Sequence, residues 1–131
     1  MSIGNDVTER MWQHRTPQWS LGKSFDTHAP IGPWITTADE IEDPHGLDIR
    51  CAVNGEIRQS SNTKHLVFNV WQQISQLSQA MTLEPGDIIA TGTPPGVGMG
   101  HRPQRFLKPG DEMVLRITGL GEQRTQVQSG G

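Results

Sequence analysis

Apolar positions in this chain alternate with a period of two in several short runs and follow a helical period in one longer run. Leu47, Ile49, Cys51 and Val53 are spaced by Asp48, Arg50 and Ala52, and the dipeptide Asn54-Gly55 then leads into Glu56–Gln59. Asn-Gly between two such runs is the strongest short-range hairpin signal, so Leu47–Val53 and Glu56–Gln59 are predicted to pair. Further short strands are predicted at Ile88–Thr91, Met113–Thr118 and Glu122–Val127, the last two pairing with each other. Ile3–Val7 reads as the tail of a strand whose beginning is missing, and Trp34–Thr37 as one more short strand. The helical run is Val67–Ala80, where Val67, Trp71, Ile74 and Leu77 or Ser78 share a face. That stripe is expected to pack against the sheet as core, in preference to forming an aromatic site around Trp71.

Punctuation agrees with this reading. Leu83-Glu84-Pro85-Gly86-Asp87 recurs as Leu107-Lys108-Pro109-Gly110-Asp111. Pro presets φ and Gly accepts positive φ at the centre of a type II turn, so both copies are expected to be strand-initiating turns with structural aspartates. Asp43-Pro44-His45-Gly46 is a turn, and Thr8–Trp19 a helical turn followed by a loop. Thr37-Ala38-Asp39-Glu40 has the form of a capping box opening one brief turn.

Composition narrows the class. With 131 residues the chain suits one domain, and 15 glycines and nine prolines favour a β-rich fold over a helix bundle. The net charge of −3 with scattered basic residues argues against nucleic acid as a partner. One cysteine, Cys51, leaves no internal disulfide and fits a reducing compartment. Its place in an alternating run makes it a packed strand residue. The start lacks the basic and apolar regions of a signal peptide, and no apolar run approaches a membrane span, so the expected location is cytoplasmic and no membrane partner is expected.

Four candidates for chemistry remain. Asp6 reads either as a turn-capping aspartate, the plainer choice, or as an oxygen ligand for a hard cation such as Mg²⁺. Lys23, beside Gly22, is either a surface lysine or a point charge for a carboxylate or enolate. Thr93 sits at the end of Ile88–Gly92, before Pro94 and glycines 96, 98 and 100, in a loop able to offer a hydroxyl to an anion. It is not a P-loop, because the Gly-Lys-Ser/Thr ending is missing. Gln13 closes the run Asp6-Val7-Thr8-Glu9-Arg10-Met11-Trp12-Gln13. Phe25 is expected in the core and Asp26 to bond loop backbone. His14, His28, His45, His65 and His101 show no metal-ligand spacing, and no Gly-x-Ser-x-Gly elbow supports a serine triad.

Taken in order, Asp6…Gln13, Gly22-Lys23-Ser24-Phe25-Asp26, Gly32-Pro33-Trp34, Val53-Asn54-Gly55-Glu56 and Thr91-Gly92-Thr93-Pro94-Pro95-Gly96 resemble the C-terminal catalytic domain of the fumarylacetoacetate hydrolase family, from about Ile3 to Val127. The resemblance implies a β-rich α+β fold, the mixed β-roll of the fumarylacetoacetase C-terminal type, with one main helix and lacking its first strands. Residues 1–131 would then be a partial catalytic domain, its C-terminal part. By the same resemblance Asp6 is a metal ligand, Gln13 a substrate contact, Lys23 the active-site lysine, and Thr93 a contact to the substrate carboxylate or oxo group. Met11 departs from the pattern, standing beside the place where many members have Asp. The implied cofactor is Mg²⁺ or Mn²⁺, the implied substrate a small 2-oxo acid, and the implied assembly a homodimer. The implied reaction is metal-dependent cleavage of 2,4-dioxo acids of the acylpyruvate type. Decarboxylation or isomerisation of 2-oxo-dienoates and ureidoglycolate lysis are the alternatives. The chain has no Glu-x-Glu motif for the other two metal ligands and none of the family's lid-borne general base. A non-catalytic truncated remnant is therefore the competing expectation, and the chain alone is expected to be inert.

Overall fold

A computed structural model describes residues 1–129. Its centre is a four-stranded, wholly antiparallel sheet in the order β2-β1-β3-β4, with β1 Asp48–Val53, β2 Glu56–Asn62, β3 Glu112–Ile117 and β4 Gly121–Gln126. The hairpin forms where Asn54-Gly55 places it, both residues adopting positive φ. Asn54 also reaches out of the turn: its amide donates to Asp111 at 2.9 Å, and its side-chain oxygen accepts from the Glu112 N–H at 2.9 Å. One turn residue thereby joins β1 to the start of β3. The ladder between β1 and β2 is irregular at one point, since Cys51 faces Gln59 while Ala52 faces Ile57. Arg58 is the extra residue of a β-bulge, a feature that re-aims the side chains beside it.

One face of the sheet carries a small core of Ile3, Ile41, Leu47, Met113, Leu115 and Leu120, with Val7, Cys51, Val53, Ile117 and Val127 against it. The other face is salt-bridged: Arg124 binds both Glu112 and Glu122, and Arg116 binds Glu122. Residues near the start lie over the core side and meet the segment 30–36. Gly4 bridges Ile31, the Gly32 N–H donates to Ile3 at 3.0 Å, and the Gln123 amide donates to Pro30 at 3.1 Å and Gly32 at 3.3 Å.

Several expectations are corrected. Ile3–Val7 and Trp34–Thr37 are not strands; they form a single bridge and a few loop hydrogen bonds. Ile88–Thr91 joins no ladder, because no strand among the described residues offers it hydrogen bonds, and Ile88 is exposed. Both Pro-Gly turns nevertheless close as expected. The Asp87 carboxylate accepts from the Glu84 N–H, and that of Asp111 from the Lys108 N–H, each at 2.8 Å. Glu40 closes the capping box by accepting from the Thr37 N–H at 3.2 Å.

Among the described residues there are two α-helices, α1 Arg10–Gln13 and α2 Val70–Ser78. α2 is shorter than its apolar period because Asn69 caps it: Asn69 accepts from the Gln72 N–H at 2.8 Å and Gln72 returns the bond at 2.9 Å. The expectation that its stripe packs as core is wrong. Among the described residues the elements in extensive contact are the three strand pairs and α1 with the turn Ser20–Lys23. Trp71 and Ile74 remain 60% and 37% exposed. Among the described residues no helix is long and apolar enough to cross a membrane.

Candidate functional site

The first cluster is built by α1 and the 3₁₀ turn Ser20–Lys23. Glu9 caps α1 by accepting from the Met11 N–H at 3.0 Å, and its own N–H donates to the Gly22 carbonyl at 2.8 Å. Gly22 must be glycine: a Cβ there would sit 2.6 Å from the Gln13 nitrogen. Two backbones locked this closely fix where the next residue points. The Lys23 ammonium donates to the Asp6 carboxylate and, at 3.1 Å, to the Thr8 hydroxyl. The pair is partly solvated, with Asp6 more open than Lys23.

Gln13 is buried, and its side-chain oxygen accepts from the Arg10 guanidinium at 2.7 Å. Phe25 is not in the core. It is exposed and stands edge-on to Trp12, ring centroids 5.6 Å apart, because the apolar side chains around it, Trp12 and Leu21, are themselves exposed. Asp26 makes no hydrogen bond to loop backbone among the described residues. Trp12, Leu21, Phe25 and Asp26 line a shallow hollow of about 440 Å³, which neither Asp6 nor Lys23 enters.

The second cluster gathers around Thr93. The Gln59 side-chain amide donates to the Thr93 hydroxyl at 3.1 Å and to the Pro94 carbonyl at 2.7 Å. A carbonyl can only accept, so the amide nitrogen is the end of Gln59 that faces the loop. Thr93 oxygen therefore accepts from Gln59, and its O–H is left to donate elsewhere. Gly96 presses against the same strand with φ +108°, where a Cβ would lie 2.0 Å from the Arg58 carbonyl of the bulge. The His101 ring donates to the Gly96 carbonyl at 3.1 Å. Arg105 grips Glu56 with two bonds of 2.6 and 2.7 Å, and holds its carboxyl below the usual carboxylate range. Gln59 went unnoticed in the sequence; only its place on β2, one residue beyond the bulge, gives it a role.

No hydrogen bond joins the two clusters among the described residues. Nor does a cation site close around Asp6: among those residues no group of three His, Cys, Asp or Glu side chains could hold a metal ion. Asp6 also gives one oxygen to Lys23. Mg²⁺ and Mn²⁺ need several oxygen ligands, so the residues present do not fit the implied ion. His45 is taken up by structure, its Nε2 accepting from the Val70 N–H at 3.0 Å. Burial pushes the Cys51 thiol up despite nearby Arg58, leaving it a packing residue.

An open antiparallel sheet with a lysine-turn and a threonine-loop at its margins defines a class whose sequence pattern runs the length of the chain. The chain belongs to the fumarylacetoacetate hydrolase family, matching its C-terminal domain description over residues 1–128. A Burkholderia ambifaria protein named only provisionally as a hydrolase is 55% identical over 123 residues, which are 92% of this chain and 44% of that protein. The maleylpyruvate hydrolase from Sphingobium sp. SYK-6, solved with manganese(II) and pyruvate, superposes with a TM-score of 0.78 at 42% identity, covering 88% of this chain and 40% of its own. The 5-carboxymethyl-2-hydroxymuconate delta-isomerase from Mycobacterium smegmatis superposes at 0.88 and 38% identity, covering 99% of this chain and 48% of its own. The chain thus spans about half the length of the relatives it matches.

Proposed function

We propose that this chain carries the lysine and threonine side of a site that cleaves acylpyruvate-type 2-oxo acids by hydrolysis. The observation that carries the reading is the Lys23 ammonium, oriented by Asp6 and Thr8 on a turn that Gly22 locks against α1. Hydrolysis is preferred over isomerisation because the 55% identical relative and the pyruvate-bound relative are both named as hydrolases.

The reading requires Lys23 and Thr93 to address one substrate. Thr93, with its oxygen accepting from Gln59, donates its O–H to the substrate carboxylate or 2-oxo oxygen. Water adds to the distal carbonyl, and the bond from that carbon to C3 breaks. The electron pair passes into an enolate of the 2-oxo acid, the acyl carbon departs as a carboxylic acid, and C3 then takes a proton. Lys23 sets positive charge where the enolate develops, an interaction stronger in the transition state than in the substrate. Gln59 is a positioning residue acting through Thr93. A divalent cation belongs to this reading only with ligands from outside the described residues, and no step above is assigned to one.

Oxalate, a dianion shaped like the pyruvate enolate, tests the reading on the chain itself. NMR titration should shift the Lys23 and Thr93 resonances together with millimolar affinity, about −4 kcal/mol. Resonances of both residues left unmoved by oxalate would remove them from a common anion site.

A further inference from the structure

The hairpin tip carries a reactive pair of residues. The chain has four asparagines, Asn5, Asn54, Asn62 and Asn69, and Gly follows Asn54 alone. A backbone nitrogen can attack the side-chain carbon of the asparagine before it, and a Cβ on the attacking residue obstructs that approach; Gly55 has none. Asn54 and Gly55 are both exposed, and apart from chain neighbours nothing lies within 4 Å of a Cβ placed at Gly55. Among the described residues the Gly55 N–H has no hydrogen-bond partner. The Asn54 side chain, in contrast, is held at both ends. Its amide nitrogen donates to Asp111 and its oxygen accepts from the Glu112 N–H, each at 2.9 Å. The Asn54 N–H donates to the Glu112 carbonyl at 2.9 Å as well. Closing a ring onto the Gly55 nitrogen turns the amide out of both side-chain bonds.

We propose that Asn54 is a self-modification site, a deamidation gated by this clamp: the step waits for the hairpin tip to leave β3, and once taken it keeps the tip from returning. The Gly55 nitrogen, its proton lost to solvent, bonds to Asn54 Cγ. The Cγ–Nδ2 bond breaks and the amide nitrogen leaves as ammonia, giving a five-membered cyclic imide. Water then opens the ring at either carbonyl, leaving an aspartate or an isoaspartate, with no oxidant or reductant consumed. Neither product remakes the clamp. A carboxylate at neutral pH only accepts, so the donor to Asp111 is gone. Asn54 and then the Lys108 N–H hold the Asp111 carboxyl below its ordinary value, so it is charged at neutral pH and repels a second carboxylate at that distance. The isoaspartate also adds a backbone carbon to a turn whose register sets Val53 against Glu56. The effect falls on the middle of the sheet, because β1 lies between β2 and β3.

The test incubates the full chain at mildly alkaline pH, folded and in urea, and follows Asn54 by peptide mass spectrometry as NH2 is replaced by OH. Conversion should be at least tenfold slower in the folded chain, the scale of the two hydrogen bonds that must open first. Asn62 and Asn69, followed by the β-branched Thr63 and Val70, should stay unconverted in both samples. Asp111→Ala, its fold checked by circular dichroism, should bring conversion most of the way to the rate in urea. The consequence is read separately, on variants that need no ageing. Asn54→Asp should lower Tm at neutral pH, and adding Asp111→Asn, which exchanges donor and acceptor across the clamp, should restore much of the loss. Equal conversion in the folded chain and in urea overturns the gate, as does a folded Asp111→Ala chain that converts as slowly as wild type. An Asn54→Asp chain with the Tm of wild type, or one that Asp111→Asn fails to rescue, overturns the one-way step.

Discussion

At the scale of single residues, what the sequence made legible were side chains whose neighbours along the chain define them. Asp6, Thr8 and Lys23 belong to motifs that the sequence marked separately and the fold draws together, and Gly22 is explained by its distance to Gln13. Gln59 was invisible because its meaning depends on a bulge, a property of two strands at once. Its proposed role gives a sharp expectation. Gln59→Leu should weaken oxalate binding about tenfold, the scale of one lost hydrogen bond near 1.4 kcal/mol. Gln59→Glu should weaken it further, because an acceptor in that place turns the Thr93 O–H away from the ligand. Titration calorimetry reads both, and Thr93→Val should make the Gln59→Leu change nearly silent. Independent, additive losses would show that Gln59 does not act through Thr93.

At the scale of elements, local patterns succeeded where a partner lay close by. The hairpin, β3 with β4, and both Pro-Gly turns are closed by residues within reach along the chain. Ile88–Thr91 and the α2 stripe failed for a common reason: their apolar pattern calls for a neighbour that the described residues do not supply. Gly96 is an element-level lock. Gly96→Ala should release the Thr93 loop, because positive φ and a Cβ 2.0 Å from the Arg58 carbonyl both oppose it. The cost should exceed about 1 kcal/mol, read as faster amide exchange over residues 91–98.

The turn around Asp111 carries a pH dependence. Asn54, and then the Lys108 N–H, hold the Asp111 carboxyl below its ordinary value. A depressed folded-state pKa stabilises the fold above the unfolded value near 3.9 and loses that contribution as pH falls through the folded value. Asp111→Ala should therefore lower Tm at neutral pH, with the gap to wild type closing as acid takes the pH below about 3.9. A gap that persists unchanged in acid would assign the loss to packing instead.

At the scale of the whole molecule, the described residues combine a small core, a large exposed apolar surface and a single carboxylate beside Lys23. The family was legible because its motifs are short and contiguous, while the shortfall of oxygen ligands around Asp6 was legible only by counting acidic residues. The direct measurement is turnover of acetylpyruvate with Mn²⁺ by the purified chain, before and after adding the segment of the Burkholderia ambifaria relative that the chain does not match. No turnover is expected before. Afterwards turnover should appear, stop with EDTA, and fall about 10²–10³-fold with Lys23→Ala, the scale of one lost electrostatic group in a transition state. Equal turnover by the chain alone, or a complemented enzyme indifferent to Lys23→Ala, would contradict the assignment.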